Sequence, residues 1–214
     1  MSSSYSESVY LYAVAVASVA RVFTLAQIGN HPYLRDLSQP QKRAWESLSS
    51  RRSHFDCSPG RRGTPYKWRL SKAGKRANGV KFRDVDPQSA KAEHWIEIGN
   101  VFLALQRYGG RPMMFEAEPK DCAGFDIATI WRKQAYFFEV QRSPLSQRDW
   151  NAKWKRIQDW YVAKRNEQLS WWVNGMQPRI VVINRTGREI VAPRGVGVYA
   201  SAEVMAVEMC KPPL

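Results

Sequence analysis

The sequence predicts a mixed helix-and-strand chain, α/β in class and α+β overall, divided into two parts. Three observations predict it. The 214 residues, 44% of them hydrophobic, are enough to bury one large core or two small ones. The first part reads as helices followed by a hairpin, whereas the second reads as helix, three strands, long helix, strand. Between them, residues 84–93 (DVDPQSAKAE) are polar, contain Pro87 and have the composition of a linker. The expected domains are therefore residues 1–88 and 89–214.

Residues 9–19 are rich in Ala and Val. The run is shorter than the roughly 20 residues a membrane-spanning helix needs. The preceding MSSSYSES has none of the basic residues that open a signal peptide. It reads as a buried helix over residues 7–22, with secretion as the alternative. Thr24 is placed to cap a short helix over 25–28 that stops at Gly29. Pro40 sits at the first turn of a third helix, 41–50, where its missing N–H costs nothing. Trp45 and Leu48 give that helix an apolar side, and Lys42, Arg43, Arg51 and Arg52 make it basic. SHFDCS, the turn PGRRGTP and YKWRLS follow. Tyr66, Trp68 and Leu70 alternate with Lys67, Arg69 and Ser71, the period of a half-buried strand. Three helices and a basic-tipped hairpin make a winged helix-turn-helix, and WRLSKAGKRA resembles the end of that domain, where a last strand runs into a closing helix.

In the second part a helix is expected over 92–108, with Trp95, Ile98, Val101, Phe102 and Leu105 on its apolar side, ending at Gly109–Gly110. Strands are expected over 112–118, 125–131 and 135–141. A helix over 146–169 starts at Ser146 and carries Trp150, Trp154, Ile157 and Tyr161 at helical spacing. RIVVIN, 179–184, is a further strand, with a strand at 197–200 and a short helix at 203–208 to close the chain.

Charge bears on partners. Lys and Arg number 33 against 19 Asp and Glu, a net charge of +14, with a pI near 10.0. This excludes an acidic solvating protein and points to a polyanion, nucleic acid first and membrane surface second. Between Arg51 and Arg76 there are nine basic residues and one acid, Asp56. Such a patch on a helix and wing suits double-stranded DNA, with Lys42, Arg43, Arg51, Arg52, Arg61, Arg62, Lys67 and Lys72 as the candidate contacts. The alternative is a solvated face, or a winged helix that mediates protein contacts. Cys57, Cys122 and Cys210 make neither a disulfide framework nor a zinc motif, and a reducing cytoplasm fits them best. His31, His54 and His94 are too dispersed for a triad.

The informative pair is Asp126 and Glu139. Strand alternation lets both carboxylates point the same way near the strand ends if the hairpin pairs in register. Two carboxylates are hard oxygen donors of the kind Mg²⁺ or Mn²⁺ takes. The hydrophobic strand AYFFEVQ has little reason to carry a central Glu unless that Glu is used or paired. The competing readings are that Asp126 closes a turn after Gly124, that Glu139 and Gln141 partner Arg142 and Lys133, and that Lys153 is simply solvated.

At these residues the sequence resembles the PD-(D/E)XK nuclease superfamily, whose core has the same order of helix, hairpin, strand, helix and strand. Within it, FDIATIW, AYFFEVQRSPLS and the Trp, Lys and Tyr that follow resemble the plasmid replication-relaxation family, and are also similar to competence CoiA-like proteins. The preceding winged helix and HWIEIGNVFLAL favour the former. The resemblance implies a PD-(D/E)XK-like domain with a central mixed sheet, acting as a Mg- or Mn-dependent endodeoxyribonuclease with Asp126 and Glu139 as metal ligands. Two departures stand out. Phe125 replaces the motif's proline, and Gln141 stands where the superfamily carries its lysine. Lys153 on the next helix is the candidate replacement, Glu97 the candidate extra acid, and Glu118 a further one. The implied role is an endonuclease or nickase of a mobile element in plasmid replication, relaxation or transfer, cytoplasmic, with no membrane partner, as a homodimer or with replication or transfer proteins. The alternative is a non-catalytic nuclease-like accessory factor that binds DNA or protein.

Overall fold

The computed structural model describes residues 3–59, 64–109, 113–114, 125–164 and 177–210. Arg61, Arg62, Glu118, Cys122, and the expected end of the long helix at 165–169 lie outside them. The chain forms two compact units, Met1–Leu103 and Ala104–Leu214. The expected linker lies within the first unit.

In the first unit, helix α1 (Ser3–Ala20) leads into strand β1 (Phe23–Thr24), α2 (Leu25–Gly29) and α3 (Pro40–Leu48). A 3-10 segment (Ser49–His54), β2 (Phe55–Ser58), β3 (Lys67–Leu70) and α4 (Lys72–Ala77) follow. Thr24 caps α2 through a reciprocal box with Gln27, and Pro40 opens α3 as expected. The strands are antiparallel in the order β1-β3-β2, with Phe55 opposite Leu70 and Phe23 opposite Trp68. Trp68 and Leu70 are buried and Tyr66 is exposed. The hairpin thus buries its apolar side on Phe23 and Phe55, which meet edge-on at 5.9 Å.

Residues 84–89 are pinned to this unit. Lys75 Nζ reaches Asp84 Oδ1 at 2.7 Å. Arg69 Nη1 donates to the Val85 carbonyl at 3.3 Å, and Gln88 Nε2 donates to Ser58 Oγ at 2.7 Å. Polar composition reads as a linker, but these side chains find partners on the hairpin and on α4.

The division between the units, after Leu103, falls inside α5 (Ala90–Gly109). The second unit holds β4 (Met113–Met114), β5 (Ile127–Trp131), β6 (Gln134–Gln141), α6 (Gln147–Lys164), β7 (Arg179–Asn184), β8 (Gly197–Tyr199) and α7 (Ala202–Cys210). Its sheet is mixed, in the order β4-β5-β6-β7-β8. β4, β5 and β6 are antiparallel neighbours, whereas β7 and β8 run parallel to β6.

β6 is buried along its whole length, not half-buried, because both faces of the sheet are covered. On one face, Trp150, Trp154, Ile157 and Trp160 of α6 pack on Phe125, Phe137, Ile180 and Val182. On the other, the Trp131 indole N–H donates to the Leu105 carbonyl at 3.0 Å. The Cys210 thiol of α7 donates to the Tyr108 carbonyl at 3.3 Å. No helix among the described residues is long and apolar enough to cross a membrane.

Candidate functional site

The β5–β6 hairpin determines where Asp126 and Glu139 stand. Arg132 and Lys133 form its two-residue turn, both in the left-handed region, φ 50° and 63°, the geometry of a type I′ turn that matches strand twist. The turn places Trp131 opposite Gln134 and Ile127 opposite Phe138. The paired register ends there, and at Asp126 the regular ladder stops. The Asp126 N–H donates to the Phe138 carbonyl at 3.0 Å, and Asp126 Oδ2 accepts the Val140 N–H at 2.7 Å. The carboxylate takes over an amide that a further β5 carbonyl would have received, through a short charge-assisted bond. Asp126 therefore does close the hairpin end, and in doing so it is anchored against the residue after Glu139.

Glu139 is held by α6. Ser146 caps this helix: its hydroxyl accepts the Asp149 N–H at 3.2 Å and donates to Asp149 Oδ2 at 2.7 Å. The helix lays its tryptophan stripe on the sheet, and Lys153, one turn after Trp150, borders that stripe. Lys153 Nζ lies 2.6 Å from Glu139 Oε1, with the two side chains 13% and 11% exposed. The same ammonium is 6.0 Å from the Trp150 ring centroid. The Glu in the middle of an apolar strand is paired, as its burial demands, and the lysine that pairs it comes from the following helix.

The other expected site residues are placed differently. The Gln141 amide donates to the Ser143 carbonyl in the turn after β6. Lys133 sits at the opposite end of β6, six residues from Glu139, roughly 20 Å along an extended strand, and cannot pair with it. Glu97 belongs to the first unit, where its Oε2 accepts from Asn100 Nδ2 at 3.1 Å. Glu139 and Lys153 are thus brought together by the packing of α6, Asp126 is anchored on the neighbouring Val140 amide, and Gln141 is turned to a local bond. The Val140 amide that anchors Asp126 has no sequence signature, because an interrupted ladder depends on where pairing stops.

Asp126 and Glu139 offer carboxylate oxygens, a donor set that suits Mg²⁺ or Mn²⁺. Among the described residues no group of three or more His, Cys, Asp or Glu could hold a metal ion. One or two protein carboxylates completed by water and phosphate oxygens is the usual manner of holding Mg²⁺, so the donor atoms are of the kind such an ion takes.

In the first unit, Lys42, Arg52 and Lys72 are exposed. Arg52 lies over Trp45, 5.6 Å from the ring centroid, and Arg43 Nε donates to the Ser38 carbonyl at 3.0 Å. Two of the expected DNA contacts are committed within the chain. Arg51 Nη2 is 2.5 Å from Glu7 Oε2 and its guanidinium lies 4.4 Å from the Tyr10 ring centroid. Lys67 Nζ is 2.7 Å from Glu93 Oε1, its side chain 12% exposed.

Neither a family model, nor a curated protein, nor a solved structure matches this chain.

Proposed function

We propose that this chain is a double-stranded DNA-binding protein whose second unit is a PD-(D/E)XK-type, Mg- or Mn-dependent endonuclease or nickase. The observation that carries this reading is the set formed by Asp126, Glu139 and Lys153. An acid opens one strand of a hairpin, its carboxylate is anchored 2.7 Å from the amide after the second acid, and a lysine on the next helix reaches that second acid at 2.6 Å. The order α5, β4, β5, β6, α6, β7, with β7 parallel to β6, is the order the resemblance implies. The departure at Gln141 is compensated by Lys153.

Asp126 and Glu139 would hold the ion, which when bound supplies an activated water and neutralises charge on the phosphodiester. Lys153 contributes a cation beside the reacting phosphate, from a helix whose tryptophans pack on the sheet. The first unit, α1-β1-α2-α3-β2-β3 with its β1-β3-β2 sheet, supports a winged-helix reading in which Lys42, Arg52 and Lys72 meet the phosphate backbone. Resemblance to the plasmid replication-relaxation family supports a role in plasmid replication, relaxation or transfer, as a homodimer or with partner proteins of that process.

A second reading, a non-catalytic accessory factor, is favoured by one observation: Lys153 already neutralises Glu139. Incubation of supercoiled plasmid with the chain and Mg²⁺ or Mn²⁺ separates the two. Relaxed circles are expected. Salt-sensitive DNA binding with no relaxed circles under either metal would leave the accessory factor.

A further inference from the structure

Resting on that reading of the site, we infer that the Glu139–Lys153 ion pair competes with cation loading, so that filling the site and releasing Lys153 are one coupled event. Lys153 Nζ is 2.6 Å from Glu139 Oε1. Mg²⁺ binds carboxylate oxygen at about 2.0–2.1 Å. Both positive charges on one carboxylate would stand only a few ångströms apart, in a place where the two side chains are 13% and 11% exposed and water screens little. Asp126 adds one negative charge, and its Oδ2 already accepts the Val140 N–H at 2.7 Å.

The ammonium has somewhere to go. Lys153 borders the Trp150 ring, 6.0 Å from its centroid, and the ring face attracts a cation. A phosphate oxygen of a bound strand would attract it more strongly. Displacement from Glu139 therefore turns Lys153 from a plug on the metal ligand into a cation available to the phosphodiester. Linkage makes this reciprocal: whatever draws Lys153 away tightens cation binding by the same factor by which the cation loosens the pair. Without DNA the site is self-neutralised and holds the ion weakly, and with DNA it holds the ion well.

The test is Mn²⁺ titration of the full-length chain without DNA, free Mn²⁺ being followed by electron paramagnetic resonance. Wild type, Lys153→Met, Lys153→Gln and the double variant Lys153→Met/Glu139→Gln are compared, each checked by circular dichroism for native structure. Lys153→Gln keeps a hydrogen-bond donor for Glu139 and guards against a fold defect in Lys153→Met. Both single variants are expected to bind Mn²⁺ about tenfold more tightly than wild type, within the usual range of coupling between two ligands, and the double variant to lose that gain. Wild-type binding that is unchanged or weakened in both single variants would overturn the competition while leaving the metal site standing. No Mn²⁺ bound by wild type or either single variant at millimolar concentration would overturn both.

Discussion

Replacing Lys153 by Met, Glu139 by Met, and both together measures how strongly the two side chains depend on each other. In the folded chain they are 2.6 Å apart with 13% and 11% of their side-chain surface exposed, so solvent discounts their interaction only slightly. Removing one member of a buried pair leaves the other charge without its counterion and costs about 3–5 kcal/mol. The residual exposure and the neighbouring Trp150 ring argue for the lower end, about 3 kcal/mol for either single variant. The double Met variant removes both charges and puts apolar atoms beside the tryptophan stripe of α6, so it should recover most of that loss. With about 3 kcal/mol for each single variant and about 1 kcal/mol left in the double, the coupling energy of the cycle is then expected at about 5 kcal/mol. Urea unfolding of the full-length chain, followed by tryptophan fluorescence and by circular dichroism, supplies the four stabilities. If the single effects add to the double within about 0.5 kcal/mol, the limit for independent sites, Glu139 and Lys153 are not partners in solution and the site geometry is wrong.

Three further outcomes are expected. His31 is buried, accepts the Tyr33 N–H at Nδ1 and so presents Nε2–H to Ser8 Oγ at 3.2 Å. Burial lowers its pKa below the ordinary 6.5, so the unfolded chain takes the proton first as pH falls. Stability should be full above about pH 7 and decline below about 6.5, read as the urea midpoint at pH 7.5 and 5.5; a His31→Gln chain with the same decline would refute the assignment. A Cβ at Gly74 would lie 2.1 Å from the His54 carbonyl oxygen, so Gly74→Ala should destabilise by about 3 kcal/mol or more through forced backbone separation, and a melting temperature equal to wild type would contradict this packing. Lys42→Ala, Arg52→Ala and Lys72→Ala should each reduce the salt dependence of DNA binding by about one unit of slope, whereas Lys67→Ala, whose ammonium is held by Glu93, should not; a filter-binding series over salt concentration decides between these.

Local chemistry made much of the fold legible. Pro40 at the first turn of α3, Thr24 before α2, Gly29 at the end of α2, and the Trp68–Leu70 alternation all act within a few residues. The elements they predict are present nearly at their expected bounds. Asp126 and Glu139 were legible because a charged residue among apolar strand residues must be either paired or used. The pairing itself was only partly legible. Lys153 stands fourteen residues from Glu139, and only the packing of α6 on β6 makes it the partner. Arg51 with Glu7 and Lys67 with Glu93 are likewise pairs between distant elements, invisible to any local pattern. They take two residues out of a basic patch that looks uniform by composition. β6 illustrates a third limit. Period two marks faces, but both faces of this strand are covered, so alternation predicts orientation without predicting exposure.

The most direct measurement is plasmid nicking by Glu139→Gln beside wild type, at equal protein concentration with Mg²⁺ and with Mn²⁺, and with DNA binding measured on the same samples. Glutamine keeps the size of the side chain and removes the charge a cation needs, while the exposed basic residues of the first unit are untouched. Wild type is expected to convert supercoiled plasmid to relaxed circles only with a divalent metal, and Glu139→Gln to bind DNA as tightly without converting it. Equal conversion by Glu139→Gln would place the activity elsewhere and contradict the metal-dependent site at Asp126 and Glu139.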